Sequence, residues 1–235
     1  MEYCCGVLMI PVFYFPDSRI LEGMLRERIG RFLGRAYIGR CEHLIHIHDP
    51  GRVPLLRPNT RILLLESKNT NRKTRFDLIA FWSEGEWIFS HSGYHSKIFE
   101  QTIKKVPLGF HGQIRKEVKI DKSRIDFMIG NSLIEIKGCT WIRNDCCSFP
   151  DAPTTRGLKH IEHLEQYTKK NNKSAYIIFL VFSSRPKQVK IAKEIDIKFY
   201  EAARHAKNTV RFRALKYVFD NNTIYFVEEI PVNID

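Results

Sequence analysis

The feature that most constrains the fold is an unbroken run of eight apolar residues from Ala175 to Phe182. This is the longest such run in the chain, and a membrane-crossing helix needs about 20 apolar residues. The sequence therefore predicts no membrane span. A strand without alternating polar residues is typical of one covered on both faces. The run thus predicts a central β-strand with packed layers on either side.

Helices and strands alternate on both sides of this run. Apolar periodicity predicts helices at 96–105, 155–170 and 196–207, and strands at 113–120, 124–129, 132–137, 211–218 and 223–228. Alternation of this kind is typical of an α/β domain with two or three layers. We assign this domain to residues 90–235, because the character of the sequence changes after Ser90.

Residues 1–89 form the other predicted domain. Short strands are expected at 35–40, 42–48, 62–66, 75–82 and 86–89, separated by Pro, Gly and Asn turn signals. Five short strands with polar loops predict either a small barrel of the oligonucleotide-binding (OB) kind or a sandwich. The apolar segment 7–15 contains Pro11 and lacks the basic leader of a signal peptide, so we expect either a strand-like segment or an extension from an upstream start.

The charge balance indicates an anionic partner. The chain has 38 Lys and Arg against 26 Asp and Glu, a formal net charge of +12. Such an excess favours nucleic acid, although a basic surface can also serve solubility alone. The six cysteines show no C-x-x-C spacing, which favours reduced thiols and a cytoplasmic location.

A basic loop in the first domain is one candidate DNA contact. Lys68, Arg72, Lys73 and Arg75 lie beside Phe76. Cations interleaved with an aromatic suit a groove where phosphates meet charge and bases stack. A solvated hairpin loop explains the same residues equally well.

A second basic surface is expected on the helix that begins near residue 155. Arg156, Lys159, His160 and His163 follow the i, i+3, i+4, i+7 spacing of one helical face. Thr154 and Asp151 are candidates to cap the first turn, and a helix N-terminus attracts phosphate. The face is expected to hold a nucleic-acid backbone; the alternative is a solvated face.

The stretch 124–137 is predicted to form a β-hairpin. Gly130 and Asn131 separate two apolar-rich strands, which is typical of a two-residue turn. That turn places Asp126 directly opposite Glu135. By alternation, four apolar residues then project together towards the core: Ile125, Phe127, Ile134 and Ile136.

Two opposed carboxylates need a cation between them or must share a proton. A hard divalent ion such as Mg²⁺ meets that need at Asp126 and Glu135. Lys137, on the same face and opposite Arg124, is expected either to hold an attacking water or to stabilise charge on phosphorus. The pattern indicates a phosphodiester-hydrolysing site; an ordinary amphipathic hairpin with balanced charges is the alternative.

A third cluster, His43, His46 and His48, follows one strand. Two of these side chains share a face, but no Cys or further His stands at a supporting spacing in the sequence. We therefore expect no metal there.

Three motifs closely resemble the sugar fermentation stimulation protein A family. They are SRIDF at 123–127, EIK at 135–137 and FPDAPTTRGLKH at 149–160. The resemblance implies an OB-fold followed by a PD-(D/E)xK nuclease-like α/β domain, with a mixed central sheet flanked by helices. The chain departs from the family's pattern at 30–32 and 49–51, so DNA contacts are not carried over to those loops.

The resemblance also assigns roles to residues. Asp126 and Glu135 match the two metal carboxylates and Lys137 the motif lysine. Glu100 falls where a further acidic residue often sits. The implied cofactor is Mg²⁺ or Mn²⁺, and the implied partner is double- or single-stranded DNA, bound without strong sequence preference. No small-molecule pocket is expected, and a homodimer is left open. The function expected is DNA binding with cleavage, or alternatively non-catalytic regulation of sugar metabolism.

Overall fold

The computed structural model describes residues 2–4, 7–15, 19–49, 51, 53–69, 71–120 and 123–234. Within them lie eighteen strands and three α-helices. No helix in this described part is long and apolar enough to cross a membrane. The helices are α1 (His95–Lys105), α2 (Thr155–Asn171) and α3 (Ile197–Ala206). The strands are β1 (Glu2–Cys4), β2 (Val7–Tyr14), β3 (Ile20–Arg28), β4 (Leu33–Ile38), β5 (Cys41–Ile47), β6 (Arg61–Glu66), β7 (Phe76–Ser83), β8 (Glu86–Phe89), β9 (Ile114–Ile120), β10 (Ser123–Ile129), β11 (Ser132–Cys139), β12 (Trp141–Arg143), β13 (Cys146–Phe149), β14 (Ser174–Phe182), β15 (Gln188–Ile191), β16 (Val210–Asp220), β17 (Thr223–Ile230) and β18 (Val232–Asn233).

Five strands close into an OB-like barrel, which confirms the barrel alternative. β3 pairs with β4, β4 with β5, β5 in parallel with β7, β7 with β6, and β6 again with β3. The inward side chains are fully buried, among them Leu25, Ala36, Ile45, Ile62 and Leu78. The fifth strand is β3, whose mixed apolar and charged pattern did not predict a strand. The predicted strand at 86–89, β8, instead bridges β7 to β16.

The second domain is built on a mixed sheet with the order β17-β16-β14-β11-β10-β9. β11, β14 and β16 run parallel, and the flanking pairs are antiparallel. Every residue from Ala175 to Phe182 is buried in β14, so the predicted central strand is confirmed. Apolar residues of α1 pack in the core on one face, and those of α2 and α3 pack in the core on the other.

The N-terminal strand belongs to the second domain's sheet. β2 pairs antiparallel with β17, with Ile224 opposite Phe13 and Phe226 opposite Ile10. Val12 and Phe15 join the same apolar core as Phe99 of α1. The assignment of residues 7–14 to the first domain is therefore wrong, because long-range strand pairing overrides their position in the chain.

Hydrogen bonds join the barrel to the second domain. The Asp151 carboxylate accepts from the main-chain N–H of Val53 at 2.8 Å, so it is committed to the barrel rather than to capping α2. The Asp49 carboxylate accepts from the Thr140 hydroxyl at 3.2 Å.

Four short strands form a second sheet that the sequence did not predict, in the order β12-β13-β15-β18.

Candidate active site

The β10–β11 hairpin has the predicted two-residue turn. Ile129 pairs with Ser132 and Phe127 with Ile134, which confirms the register close to the turn. Gly130 has a φ of +53°, and a Cβ there would lie 2.4 Å from the His111 carbonyl oxygen. Glycine is therefore required at this position.

The strands part beyond Phe127. Pairing between β10 and β11 ends at Phe127–Ile134, and the Asp126 carboxylate accepts a hydrogen bond from the Ile136 main-chain N–H at 2.7 Å. The β9 ladder also skips Asp126, opposite Glu117, whose φ is +53°.

This irregularity corrects one detail of the predicted hairpin. Phe127, Ile134 and Ile136 share one core, as expected, but Ile125 joins the core on the other face of the sheet. The regular alternation of side chains therefore does not extend through Asp126.

Glu135 lies at the centre of a buried polar cluster. Its side chain is 4% exposed, and Lys137 Nζ lies 2.6 Å from its Oε1. The His160 ring, from α2, contacts the same oxygen and lies 3.2 Å from Lys137 Nζ. Glu135 Oε2 is buried and has no hydrogen-bond partner among the described residues. That orphaned oxygen faces a cost of about 1–3 kcal/mol unless a ligand meets it.

The two carboxyl groups differ in proton affinity. Burial, reinforced by the negative charge of Glu135, raises the pKa of Asp126 to about 7. Burial would also raise the pKa of Glu135, but hydrogen bonds and charge from His160 and Lys137 outweigh it and lower that pKa. A proton shared by the pair therefore resides on Asp126.

A basic cavity of about 360 Å³ opens beside this cluster. It is lined by Ser123, Arg124, Thr155, Arg156, Lys159 and His160. The hairpin contributes Ser123 and Arg124, and the first turns of α2 contribute the rest. Thr154 caps that helix by accepting from the Gly157 N–H at 3.0 Å, as predicted.

The cavity thus brings three residues of the predicted helical face, Arg156, Lys159 and His160, together with Arg124 of the hairpin. Their environments differ, however. Arg124, Arg156 and Lys159 are exposed, whereas His160 is buried. His160 belongs to the buried stripe of α2 with Gly157, Ile161 and Leu164. The i+4 spacing of His160 and Leu164 was the sequence signal for that burial.

Glu100 is not brought to the carboxylate pair. It lies on α1, and its two carboxylate oxygens accept from Lys104 Nζ at 2.8 Å and Lys116 Nζ at 2.9 Å. These ion pairs lower its pKa.

The basic loop of the barrel is partly neutralised by its own domain. Arg72 donates to both oxygens of the Asp77 carboxylate, at 2.6 and 2.9 Å. Arg75 pairs with Glu66 at 2.6 Å. Lys68 and Lys73 are exposed. The loop is therefore a weaker electrostatic surface than its composition suggests.

The sequence did not identify a second feature of the barrel, an exposed apolar surface on its outer face. Met24, Phe32, Tyr37 and Leu44 are each more than a third exposed, and Arg31 lies 5.5 Å from the centre of the Phe32 ring. Exposed aromatics on a barrel can stack on bases. Tyr37, at an outward position of a predicted strand, was the available signal.

Comparison with family models covers both domains. Residues 27–90 match the model described as SfsA N-terminal OB domain, and residues 93–223 match the model described as Sugar fermentation stimulation protein RE domain. Together they span most of the chain.

Similar proteins occur in bacteria and archaea. Two curated relatives are each described as a sugar fermentation stimulation protein homolog. The one from Thermosipho melanesiensis is 37% identical over 217 residues, covering 91% of this chain and 95% of the relative. The one from Saccharolobus solfataricus is 33% identical over 223 residues, covering 94% and 88%. A solved structure of Pyrococcus furiosus SfsA in complex with Ca²⁺ superposes with a TM-score of 0.88 at 24% identity, covering 95% of this chain and 99% of that one.

Proposed function

Because the chain belongs to the sugar fermentation stimulation protein family, we propose that it is a cytoplasmic DNA-binding protein that also hydrolyses phosphodiester bonds with a divalent metal ion. One observation carries the proposal. A carboxylate pair, the half-buried Asp126 and the buried Glu135, lies beside a cavity lined by cationic side chains. A cytoplasmic location agrees with Cys41, Cys139, Cys146 and Cys147, which are free thiols.

The residues present fit a hard divalent cation such as Mg²⁺ or Mn²⁺. Asp126 and Glu135 offer only oxygen donors, which such ions prefer. The orphaned Glu135 Oε2 needs a partner, and a cation would offset both the burial and the repulsion from Glu135 that raise the pKa of Asp126. When bound, the ion would polarise a phosphoryl oxygen and lower the pKa of water. The Ca²⁺ in the Pyrococcus furiosus structure belongs to that protein, and it motivates testing metals here.

The protein's own groups supply orientation and charge. Lys137 is held by Glu135, so its ammonium group is fixed rather than free to rotate. From that position it either orients the attacking water or stabilises negative charge on the phosphorus. His160 fixes the Glu135 carboxylate from the side of α2, which leaves Oε2 for other contacts.

The basic cavity provides the path for the DNA backbone. Arg124, Arg156 and Lys159 line it with no acidic side chain among them, and the N-terminus of α2 adds the positive end of its dipole. Contacts to phosphates carry no sequence information, so binding should be largely independent of sequence and strongly dependent on salt.

A non-catalytic alternative also has a specific observation in its favour. Lys137 and the His160 ring already engage Glu135 Oε1, so the acidic cluster is largely neutralised within the protein. A nuclease-like domain can serve DNA binding alone. On this alternative the protein is a DNA-binding regulator of sugar metabolism.

One experiment separates the two. The purified protein is incubated with linear, single-stranded and branched DNA in Mg²⁺, Mn²⁺ or EDTA, beside Glu135→Gln and Lys137→Ala. The matched control is Glu162→Gln, an exposed carboxylate on α2. We expect metal-dependent products from the wild type and the control, and a loss of at least about 100-fold in both site variants. Wild-type binding without any product, or equal cleavage by all proteins, would exclude catalysis at this site.

A further inference from the structure

Three side chains with metal-binding atoms meet at the junction between the barrel and the second domain. His48 directly follows β5, Asp77 is the second residue of β7, and His91 lies between β8 and α1. β5 and β7 pair in parallel, which brings the first two together. The ligand atoms of all three lie within 4.8 Å of one another.

We propose that His48, Asp77 and His91 form a second metal site, for a transition-metal ion of the Zn²⁺ class, distinct from the carboxylate pair at Asp126 and Glu135. Two imidazoles and one carboxylate, with a fourth position left for water, are a frequent donor set for zinc. Imidazole nitrogen favours Zn²⁺, Co²⁺ and Ni²⁺ over Mg²⁺ and Ca²⁺. The two sites are therefore expected to select different metals.

The distances agree with this assignment. His48 Nε2 lies 3.1 Å from Asp77 Oδ1. Two ligands at about 2.0–2.1 Å from a tetrahedral ion lie roughly 3.3 Å apart, so this pair already has the required separation. The His91 ring stacks on the His48 ring at 3.6 Å between centroids. A rotation of the His91 ring about its χ2 bond is needed to turn a nitrogen towards the ion.

His91 supplies an independent sign that a ligand is missing. The residue is 5% exposed, and its Nδ1 is buried with no hydrogen-bond partner among the residues that the structure describes. A buried polar atom without a partner is costly, and a metal ion would satisfy it.

Metal-ligating carboxylates are usually oriented by a second side chain that hydrogen-bonds to them, and Asp77 has such a partner. Arg72 donates to both of its oxygens and also to the Ser67 hydroxyl and the Thr74 hydroxyl. Arg72 also offsets the negative charge of Asp77, which further disfavours hard cations bound mainly by charge.

The location suggests what the ion does. His48 and Asp77 belong to the barrel, and His91 belongs to the connection into α1. An ion bound by all three would fix the angle between the domains. The centre of the His46 ring lies 4.2 Å from that of His48, but His46 is outside the three-ligand set. A substitution of His46 is therefore a control for the loss of a neighbouring imidazole.

The test uses the full-length protein stripped with EDTA and reloaded with Zn²⁺ or Co²⁺. Metal content after gel filtration gives the stoichiometry, and the visible d–d spectrum of Co²⁺ reports coordination by nitrogen. His91→Phe keeps an aromatic ring in the stack but removes both nitrogens. His48→Asn removes the second imidazole, and His46→Asn is the control. Thermal unfolding in EDTA establishes that each variant is folded.

We expect the wild type, His46→Asn and Asp126→Asn to retain one Zn²⁺ that raises Tm. His91→Phe and His48→Asn should bind it at least about 100-fold more weakly. The site is refuted if wild-type protein retains no Zn²⁺, or if folded His91→Phe retains as much, since the ion would then lie elsewhere, for example on an exposed cysteine. Because Asp126→Asn abolishes the proposed nuclease site alone, failure of one proposal does not imply failure of the other.

Discussion

The carboxylate of Asp126 accepts the main-chain N–H of Ile136, which continued pairing in the hairpin register would direct to the carbonyl of Ile125. A side chain thus replaces one rung of the ladder. The two strands part at that point, and the space between them lies beside Glu135. The arrangement of Asp126 and Glu135 therefore depends on the interruption of the hydrogen-bond ladder between β10 and β11 as well as on the identity of the two residues.

Asp126 should make the metal-free protein less stable as pH rises. The pKa of this group is raised to about 7 in the folded protein, so its contribution to stability is complete below about pH 4 and is lost as pH rises through 7. Asp126→Asn should remove that loss. The quantity to compare is the free energy of unfolding of the variant minus that of the wild type. We expect this difference to be larger at pH 8 than at pH 4 by at least ~1 kcal/mol.

Urea unfolding in EDTA at both pH values checks this expectation. Asp145→Asn, which removes an exposed carboxylate, is the control for the loss of one charge. Equal stability differences at the two pH values would mean that Asp126 ionises normally.

His160 should prove to be a partner of Glu135 rather than a DNA contact. Replacing it by Ala leaves a buried carboxylate with fewer hydrogen bonds, so we expect the free energy of unfolding to fall by about 1–3 kcal/mol. Lys159→Ala, one residue away and exposed, should change it by less than about 0.5 kcal/mol. If both variants unfold at the same denaturant concentration and only DNA binding suffers, His160 acts as the sequence predicted.

Salt dependence should locate the DNA backbone on the first turns of α2. Arg156→Ala combined with Lys159→Ala should reduce the slope of log K against log salt by about 0.9 for each lost phosphate contact. Lys169→Ala with Lys170→Ala removes the same charge from the other end of the helix and is the matched control. Fluorescence anisotropy in EDTA gives both slopes, and equal slopes for the two double variants would remove the cavity from the interface.

Single-stranded DNA should use the outer face of the barrel. Phe32 and Tyr37 are 46% and 38% exposed, and each replacement by Ala should weaken binding by about 1–3 kcal/mol if a base stacks on the ring. Tyr14 is 58% exposed but lies on β2, which pairs with the second domain's sheet, so Tyr14→Ala is the control. Unchanged affinity in both barrel variants would exclude this surface.

Local pattern predicted the elements with strong signals and missed those fixed by distant partners. The apolar run in β14 and the Gly130–Asn131 turn could be predicted because a few adjacent residues determine their burial and turn geometry. The parting of β10 from β11 has no such local signal, and β11 continues beyond it by pairing along its whole length with β14. The burial of His160 likewise follows from the packing of α2 on the sheet.

The junction cluster shows the same limit more sharply. Together with its neighbours in sequence alone, His43 and His46, His48 predicts no metal site. Its spatial partners stand 29 and 43 residues away, at Asp77 and His91. Closure of the barrel and the course of β8 bring the three residues together. The spacing of residues along the chain predicts neither of these features.

The pairing of β2 with β17 has a consequence for how the molecule is assembled. The barrel is anchored at both of its ends, since the chain enters it after Phe15 and leaves it at Phe89, and both points belong to the same sheet-and-helix body. A double tether leaves far less rotational freedom than a single flexible linker would. During synthesis, moreover, β2 is made long before its partner β17, so all five barrel strands are present before the sheet that holds both ends of the barrel can be completed.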